Sequence, residues 1–221
     1  MGDVIRLAER RAARRSRAQH RIAPARVEFL FDLCCPFSYL AAERVERVFD
    51  DVIWTPASTN ALRCGSADGD ERLLEIRHAA AERRAAELRL PLVWPERYPA
   101  EVPAAMRAAS YAAEHGRGSA FVLAAGRLAF CGGFDLDDPE ILAEAAAAAG
   151  IALEDCFHAA GDQRRDGAAE AIGRKLLAAG ADRLPVLRVG RSLFWGEQRV
   201  GAAAASVRQA TATPALARQR F

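Results

Sequence analysis

Val27-Glu28-Phe29-Leu30-Phe31-Asp32-Leu33-Cys34-Cys35-Pro36-Phe37-Ser38-Tyr39-Leu40 runs from an apolar strand straight into a cysteine-proline turn and then a helix. Residues 27–33 are mostly β-branched, aromatic or aliphatic, as expected of a central strand covered on both faces. Pro36 suits the first helical position, where its missing N–H costs nothing. Leu40, Ala41, Val45, Val48 and Phe49 then recur at helical spacing. The start of that helix points free amides and partial positive charge at Cys35, which makes its thiol a thiolate candidate. The stretch reads as the active-site edge of the fold.

Downstream, Val52-Ile53-Trp54-Thr55 is a second strand stopped by Pro56, so strand, helix and strand form a right-handed parallel βαβ unit. Residues 58–70 are rich in Ser, Thr, Asn, Gly and Asp and read as a loop beside the cysteine turn. From Glu71 to about Gly180 helical periodicity dominates, interrupted by the three-proline connection Pro91-Leu92-Val93-Trp94-Pro95-Glu96-Arg97-Tyr98-Pro99. Asp138-Pro139-Glu140 starts one of these helices with a side-chain cap, and Gly150 stops it. The strand signal returns in Pro185-Val186-Leu187-Arg188-Val189 and Ser192-Leu193-Phe194-Trp195, joined by Gly190-Arg191 as a hairpin. A last helix covers about residues 200–210, and the tail with Pro214 reads as irregular. The expected organisation is an α/β fold of thioredoxin-like order, βαβ then ββα, split between residues 26–57 and 181–212. A large all-helical insertion fills 58–180, and a basic extension occupies 1–25.

A chain of 221 residues with 51% hydrophobic and 27% charged residues can bury a sizeable core and is neither disordered nor membranous in balance. A net charge of +2 gives no strong pull on nucleic acid, and none is expected as a partner. The basicity is local: Arg6, Arg10, Arg11, Arg14, Arg15, Arg17 and Arg21 make the first segment a solvated extension or an arm for acidic partners. No secretory leader pattern and no apolar run of the ~20 residues a membrane helix needs are found, so a cytoplasmic protein is expected. Cys34, Cys35, Cys64, Cys131 and Cys156 are an odd set without framework spacing, which fits reduced thiols, and no Cys/His set has zinc-site spacing. No metal is expected.

Two separated motifs resemble a known family, the thioredoxin-like group holding DsbA-type disulfide oxidoreductases, kappa-class glutathione transferases and 2-hydroxychromene-2-carboxylate isomerases. The isomerase branch has a strand ending in Asp followed by Ser-Pro-Tyr-Ser-Tyr-Leu-Ala; here Asp32 leads to Cys35-Pro36-Phe37-Ser38-Tyr39-Leu40-Ala41. Its second signature, Gly-x-x-Gly-x-Pro, a strand, then Phe-Trp-Gly-x-Asp-Arg, is similar to Gly180 through Pro185 and Phe194-Trp195-Gly196-Glu197-Gln198-Arg199, with Arg183 replacing the second glycine. The proline-rich connection around Trp94 also looks like the family's. Two departures stand out: Cys35 replaces the serine thought to hold the sulfur of bound glutathione as a thiolate, and Gln198 replaces the Asp that contacts its γ-glutamyl group. Ser38 stands where oxidoreductases carry their second cysteine, so the turn is a monothiol version.

Cys35 therefore has three candidate roles: a nucleophile, a hydrogen-bond partner for a glutathione sulfur, or an inert small hydrophobe. Cys34 reads as structurally buried, since adjacent cysteines bridge only with strain; a resolving thiol would come from glutathione or Cys64. Ser38 either donates to a sulfur or caps the helix. The resemblance makes Leu184-Pro185 a cis dipeptide presenting Leu184 backbone groups to an extended thiol peptide. Glu197 and Gln198 open the last helix, whose amides can receive a carboxylate. Trp94 and Tyr98 wall an aromatic pocket or simply pack. His78, His115 and His158 read as surface or core residues.

The resemblance thus implies a thiol-dependent isomerase of the 2-hydroxychromene-2-carboxylate isomerase type, acting on a small aromatic unsaturated acid with glutathione or a similar thiol, and forming a homodimer as relatives do. A monothiol oxidoreductase or glutathione transferase is the alternative. A non-catalytic thioredoxin-like binding protein is a third class.

Overall fold

The computed structural model describes residues 26–62 and 71–217. The arginine-rich extension and Cys64 lie outside the described residues. Strands β1 (Val27–Phe31), β2 (Val52–Pro56), β3 (Val186–Val189) and β4 (Ser192–Trp195) form one mixed sheet in the order β2-β1-β3-β4. β1 runs parallel to β2, with Phe29 opposite Trp54, and antiparallel to β3, with Phe29 opposite Leu187. The crossover between β1 and β2 is helix α1 (Pro36–Val48), as the first stretch of sequence predicts. Gly190 takes φ of 59° in the β3–β4 turn, a conformation that glycine adopts without a Cβ clash.

Between the two halves of the sheet the chain builds α2 (Thr59–Leu62), α3 (Glu71–Leu88), α4 (Pro103–Glu114), α5 (Gly118–Phe130), α6 (Pro139–Ala149), α7 (Leu153–Gly161) and α8 (Asp166–Ala178); α9 (Val200–Ala217) closes it. The order is that of a thioredoxin-like fold carrying a helical insertion. Two details differ from the sequence reading. The expected loop starts with the short helix α2, because its first amide finds an acceptor 27 residues back, in Asp32. The last helix does not stop near residue 210 but continues past Pro214, its alanine-rich flanks sustaining helical propensity around one lost hydrogen bond.

β1 is the centre of the core because both its faces are covered. On one face Phe29 and Phe31 are completely buried, and Phe29 meets the edge of Trp54 with ring centres 5.0 Å apart. α1 and α5 pack over this face, the Tyr39 ring stacked at 5.7 Å on Phe130. On the other face Leu30, Val186 and Leu184 pack with Leu62 of α2 and Leu176 of α8. Each fully buried aromatic or leucine of this kind contributes roughly 1.5–3 kcal/mol relative to exposure. Close approach of α8 to α2 depends on Gly173, where a Cβ would lie 2.7 Å from the Ser58 carbonyl oxygen and the Ala61 side chain. This contact holds α2 against the end of β1, beside the cysteine turn.

Candidate active site

β1 ends at Asp32, and Asp32-Leu33-Cys34-Cys35 forms a turn closed by the Cys35 N–H donating to the Asp32 carbonyl at 3.1 Å. Cys35 then caps α1 with extended backbone, Pro36 follows at the first turn, and the Cys35 carbonyl accepts from the Ser38 N–H at 2.9 Å. The half-buried Cys35 Sγ lies 3.8 Å from the Leu184 carbonyl oxygen, and Leu184–Pro185 is cis, as expected. Residues from opposite ends of the fold thus meet at one sulfur.

The thiol is not in the state that helix amides alone would give it. Burial pushes Cys35 above the ordinary cysteine value, and the Asp32 charge acts in the same direction. The Ser38 amide and hydroxyl and the Phe37 amide pull the other way without prevailing. Desolvation penalises the charged form of an acid, and here it outweighs the hydrogen bonds at the helix start that would favour a thiolate.

Asp32 organises the turn, and the sequence reading did not single it out beyond its place in the motif. Asp32 is 6% exposed; its Oδ1 accepts from the Cys34 N–H at 3.0 Å and its Oδ2 from the Thr59 N–H at 2.8 Å. Its own N–H donates to Ser38 Oγ at 3.3 Å, which places the buried Ser38 hydroxyl under the turn. Leu33 N–H donates to Met106 Sδ of α4 at 3.3 Å. No local sequence pattern announces a backbone amide bound to a methionine sulfur.

Cys34, expected as a buried structural residue, is half-buried and faces the helices. It shares with Asp32 one wall of a cleft of about 160 Å³, opposite Glu101, Met106, Asp166 and Glu170. On its other side Cys34 and Tyr98 border a cavity of about 20 Å³, room for one water. Of the two readings of Trp94 and Tyr98, pocket wall or packing, the rings take the packing one. Trp94 stacks on His78 at 4.0 Å, touches Tyr98 at 4.7 Å and donates through Nε1 to Glu82 at 2.8 Å. No disulfide joins the described cysteines: Cys131 lies 3.1 Å from the Tyr39 hydroxyl, and Cys156 is buried.

At the start of α9, the Gly196 N–H donates to the Pro185 carbonyl at 2.8 Å, tying that helix to the cis dipeptide. Glu197 does not present its carboxylate to solvent. It is 1% exposed and ion-paired with Arg44 of α1 and Arg84 of α3, while Arg44 Nη1 also donates to the Glu197 carbonyl at 3.1 Å. Glu197 is therefore an internal clamp between three helices, and Gln198 is the exposed side chain of the pair. A second clamp joins Glu43 of α1 to Arg127 of α5 at 2.6 and 3.0 Å. Among the described residues no group of three His, Cys, Asp or Glu could hold a metal ion.

A sulfur at a helix start, in contact with a cis-proline dipeptide at the end of the neighbouring strand, is an arrangement suited to thiol chemistry. The model of the DSBA-like thioredoxin domain matches residues 26–208, and the chain belongs to that family. The chain is an enzyme of this DsbA-like family. Among solved structures it is similar to a 2-hydroxychromene-2-carboxylate isomerase, with a TM-score of 0.73 and 18% identity over 86% of this chain and 97% of that one. It is also similar to a probable DsbA oxidoreductase from Streptomyces coelicolor, with a TM-score of 0.67 and 23% identity over 84% of this chain and 89% of that one. No curated protein matches the sequence significantly. Among the described residues no helix is long and apolar enough to cross a membrane.

Proposed function

We propose that the protein is a thiol-dependent isomerase of the 2-hydroxychromene-2-carboxylate isomerase kind, in which Cys35 steadies the sulfur of a small bound thiol such as glutathione. The observation that carries the reading is the Cys35 thiol itself. It is desolvated, kept protonated and directed at a backbone acceptor, so it behaves as a hydrogen-bond donor in the way the serine of that branch does. A nucleophile would need the thiolate that burial disfavours.

Leu184 would align the thiol along the sheet edge, Ser38 would add a second hydroxyl beneath the sulfur, and Gln198 would meet the polar end with an amide. Bound glutathione supplies a sulfur that adds reversibly to a conjugated double bond, allowing rotation and elimination. The chain's own part is to hold that sulfur at the cysteine turn. The proposal includes a cytoplasmic setting and a homodimer.

A monothiol oxidoreductase or glutathione transferase is the second reading, favoured by the presence of a sulfur at position 35. The Cys35→Ser variant separates the two. Under the isomerase reading it keeps much of the glutathione-dependent turnover of hydroxybenzylidenepyruvate-type substrates, and Cys35→Ala loses it. Under the second reading both variants lose activity on disulfide or electrophilic substrates. Absence of thiol-dependent turnover in the wild type, with no glutathione binding by calorimetry, sinks the isomerase proposal.

A further inference from the structure

The sequence holds two methionines, Met1 and Met106, and only Met106 lies among the described residues. It stands in the first turn of α4, and its Sδ accepts from the Leu33 N–H at 3.3 Å. Leu33 is 4% exposed and sits between Asp32 and Cys34, two residues before Cys35. The Cys35 N–H bonds back to the Asp32 carbonyl, so a shift of the Leu33 amide inside that turn is passed on to Cys35. One buried amide of the turn therefore depends on a sulfur from a distant part of the chain.

The half-buried Met106 side chain is also within reach of small molecules. It lines a cleft of about 160 Å³ together with Asp32 and Cys34, and a groove of about 290 Å³ together with Trp54 and Arg107. Either space holds several waters, and hydrogen peroxide is little larger than one. A thioether sulfur reacts with peroxide without ionising. A cysteine needs its thiolate, which burial disfavours at Cys35.

We propose that Met106 is an oxidation site that regulates the cysteine turn: a peroxide converts it to the sulfoxide, which releases the Leu33 amide and displaces Cys35. A lone pair on Sδ attacks the peroxide, so that an S–O bond forms as the O–O bond breaks. The departing hydroxide takes the proton of the transferred hydroxyl and leaves as water. Sulfur is oxidised and the peroxide reduced, with no further reactant. The product is polar where the thioether was apolar. Its oxygen projects one bond beyond the sulfur, and the 3.3 Å between Sδ and the Leu33 nitrogen has no room for it. Asp32, Asp166 and Glu170 line the cleft with carboxylates, which repel another acceptor. The turn and the start of α4 therefore separate. The inference rests on the reading of the cysteine turn as the reaction site.

Treatment of wild type and Met106→Leu with hydrogen peroxide tests it, followed by dithiothreitol, which returns sulfenic acids and disulfides to thiols but leaves the sulfoxide. Peptide mass spectrometry then reads Met106, and iodoacetamide labelling reads Cys35. The expected result in wild type is one added oxygen on Met106 and Cys35 labelling about tenfold faster, the change that one lost hydrogen bond permits. Met106→Leu, a volume-conserving change, should label at one rate with and without peroxide. Methionine sulfoxide reductases should return the treated wild type to its starting rate. An unoxidised Met106 overturns the proposal, as does oxidation that leaves Cys35 labelling unchanged, or an equal response in Met106→Leu. Absence of isomerase turnover alongside the expected labelling response supports the switch and overturns the proposed reaction instead.

Discussion

The Sγ of Cys35 lies 3.8 Å from the carbonyl oxygen of Leu184, 149 residues further along the chain. The contact exists because β1 and β3 are neighbours in the sheet, so the turn after one strand and the cis dipeptide before the other reach the same edge. A thiol at that edge is screened from water on one side by protein and can be approached from the other. Its chemistry follows from that half-burial.

The first prediction concerns the charge on Cys35. Its folded-state value is raised, so between the ordinary cysteine value and that raised value the folded protein keeps a proton that the unfolded chain has lost. Iodoacetamide labelling of Cys35, followed by peptide mapping against pH, should show its midpoint above that of free cysteine. Stability contributed by this group is present below the unfolded value and is lost as pH climbs through the folded one. A midpoint below that of free cysteine would restore the nucleophile reading.

Asp32→Ala should act on both stability and reactivity. It leaves the buried amides of Cys34 and Thr59 without acceptors, a loss of about 1–3 kcal/mol for each, partly offset by relieving a buried carboxylate. Urea unfolding should therefore show a net destabilisation of about 2 kcal/mol. Removing the charge should also move the Cys35 labelling midpoint to lower pH. An unchanged midpoint in a folded variant would show that the Asp32 charge does not govern the thiol.

Glu197→Ala should cost about 3 kcal/mol in a denaturant titration, at the low end for breaking a buried ion pair. Arg44 and Arg84 are 26% and 27% exposed and can partly reach water, which limits the penalty. A change within 0.5 kcal/mol, the range usual for surface substitutions, would mean the clamp adds nothing to the packing of α9.

Gly173→Ala should destabilise by about 1–3 kcal/mol although alanine is the better helix former. The added methyl would meet the Ser58 carbonyl and Ala61, pushing α8 away from α2. Thermal unfolding of this variant against Gly167→Ala, where nothing lies within 4 Å, isolates the packing effect from propensity. Equal shifts for the two variants would contradict it.

Much of the fold was legible because its signals are local. The run from Val27 to Phe31 announces a covered strand, Pro36 a helix start, Asp138 a capped helix, and Gly190 a tight hairpin; all four stand in the structure. The short helix α2 was not legible, since its capping acceptor comes from the turn after β1. Trp94 and Tyr98 were visible as large aromatics, but only packing shows that Trp94 stacks on His78 and that both meet Phe130 edge-on. Glu197 stood in a motif, yet a motif cannot say that two arginines from α1 and α3 enclose its carboxylate.

The sequence by itself determined the order of elements, the turn in which Cys35 stands and the family to which such an order belongs, because periodicity, proline and glycine act over a few residues. Tertiary structure decided the rest: that burial raises the Cys35 thiol and sets it against Leu184, that Cys34 faces a cleft, and that Glu197 is an internal clamp. Each depends on burial and on charges brought from distant parts of the chain, and desolvation is a property of the folded surroundings that no single stretch of sequence contains.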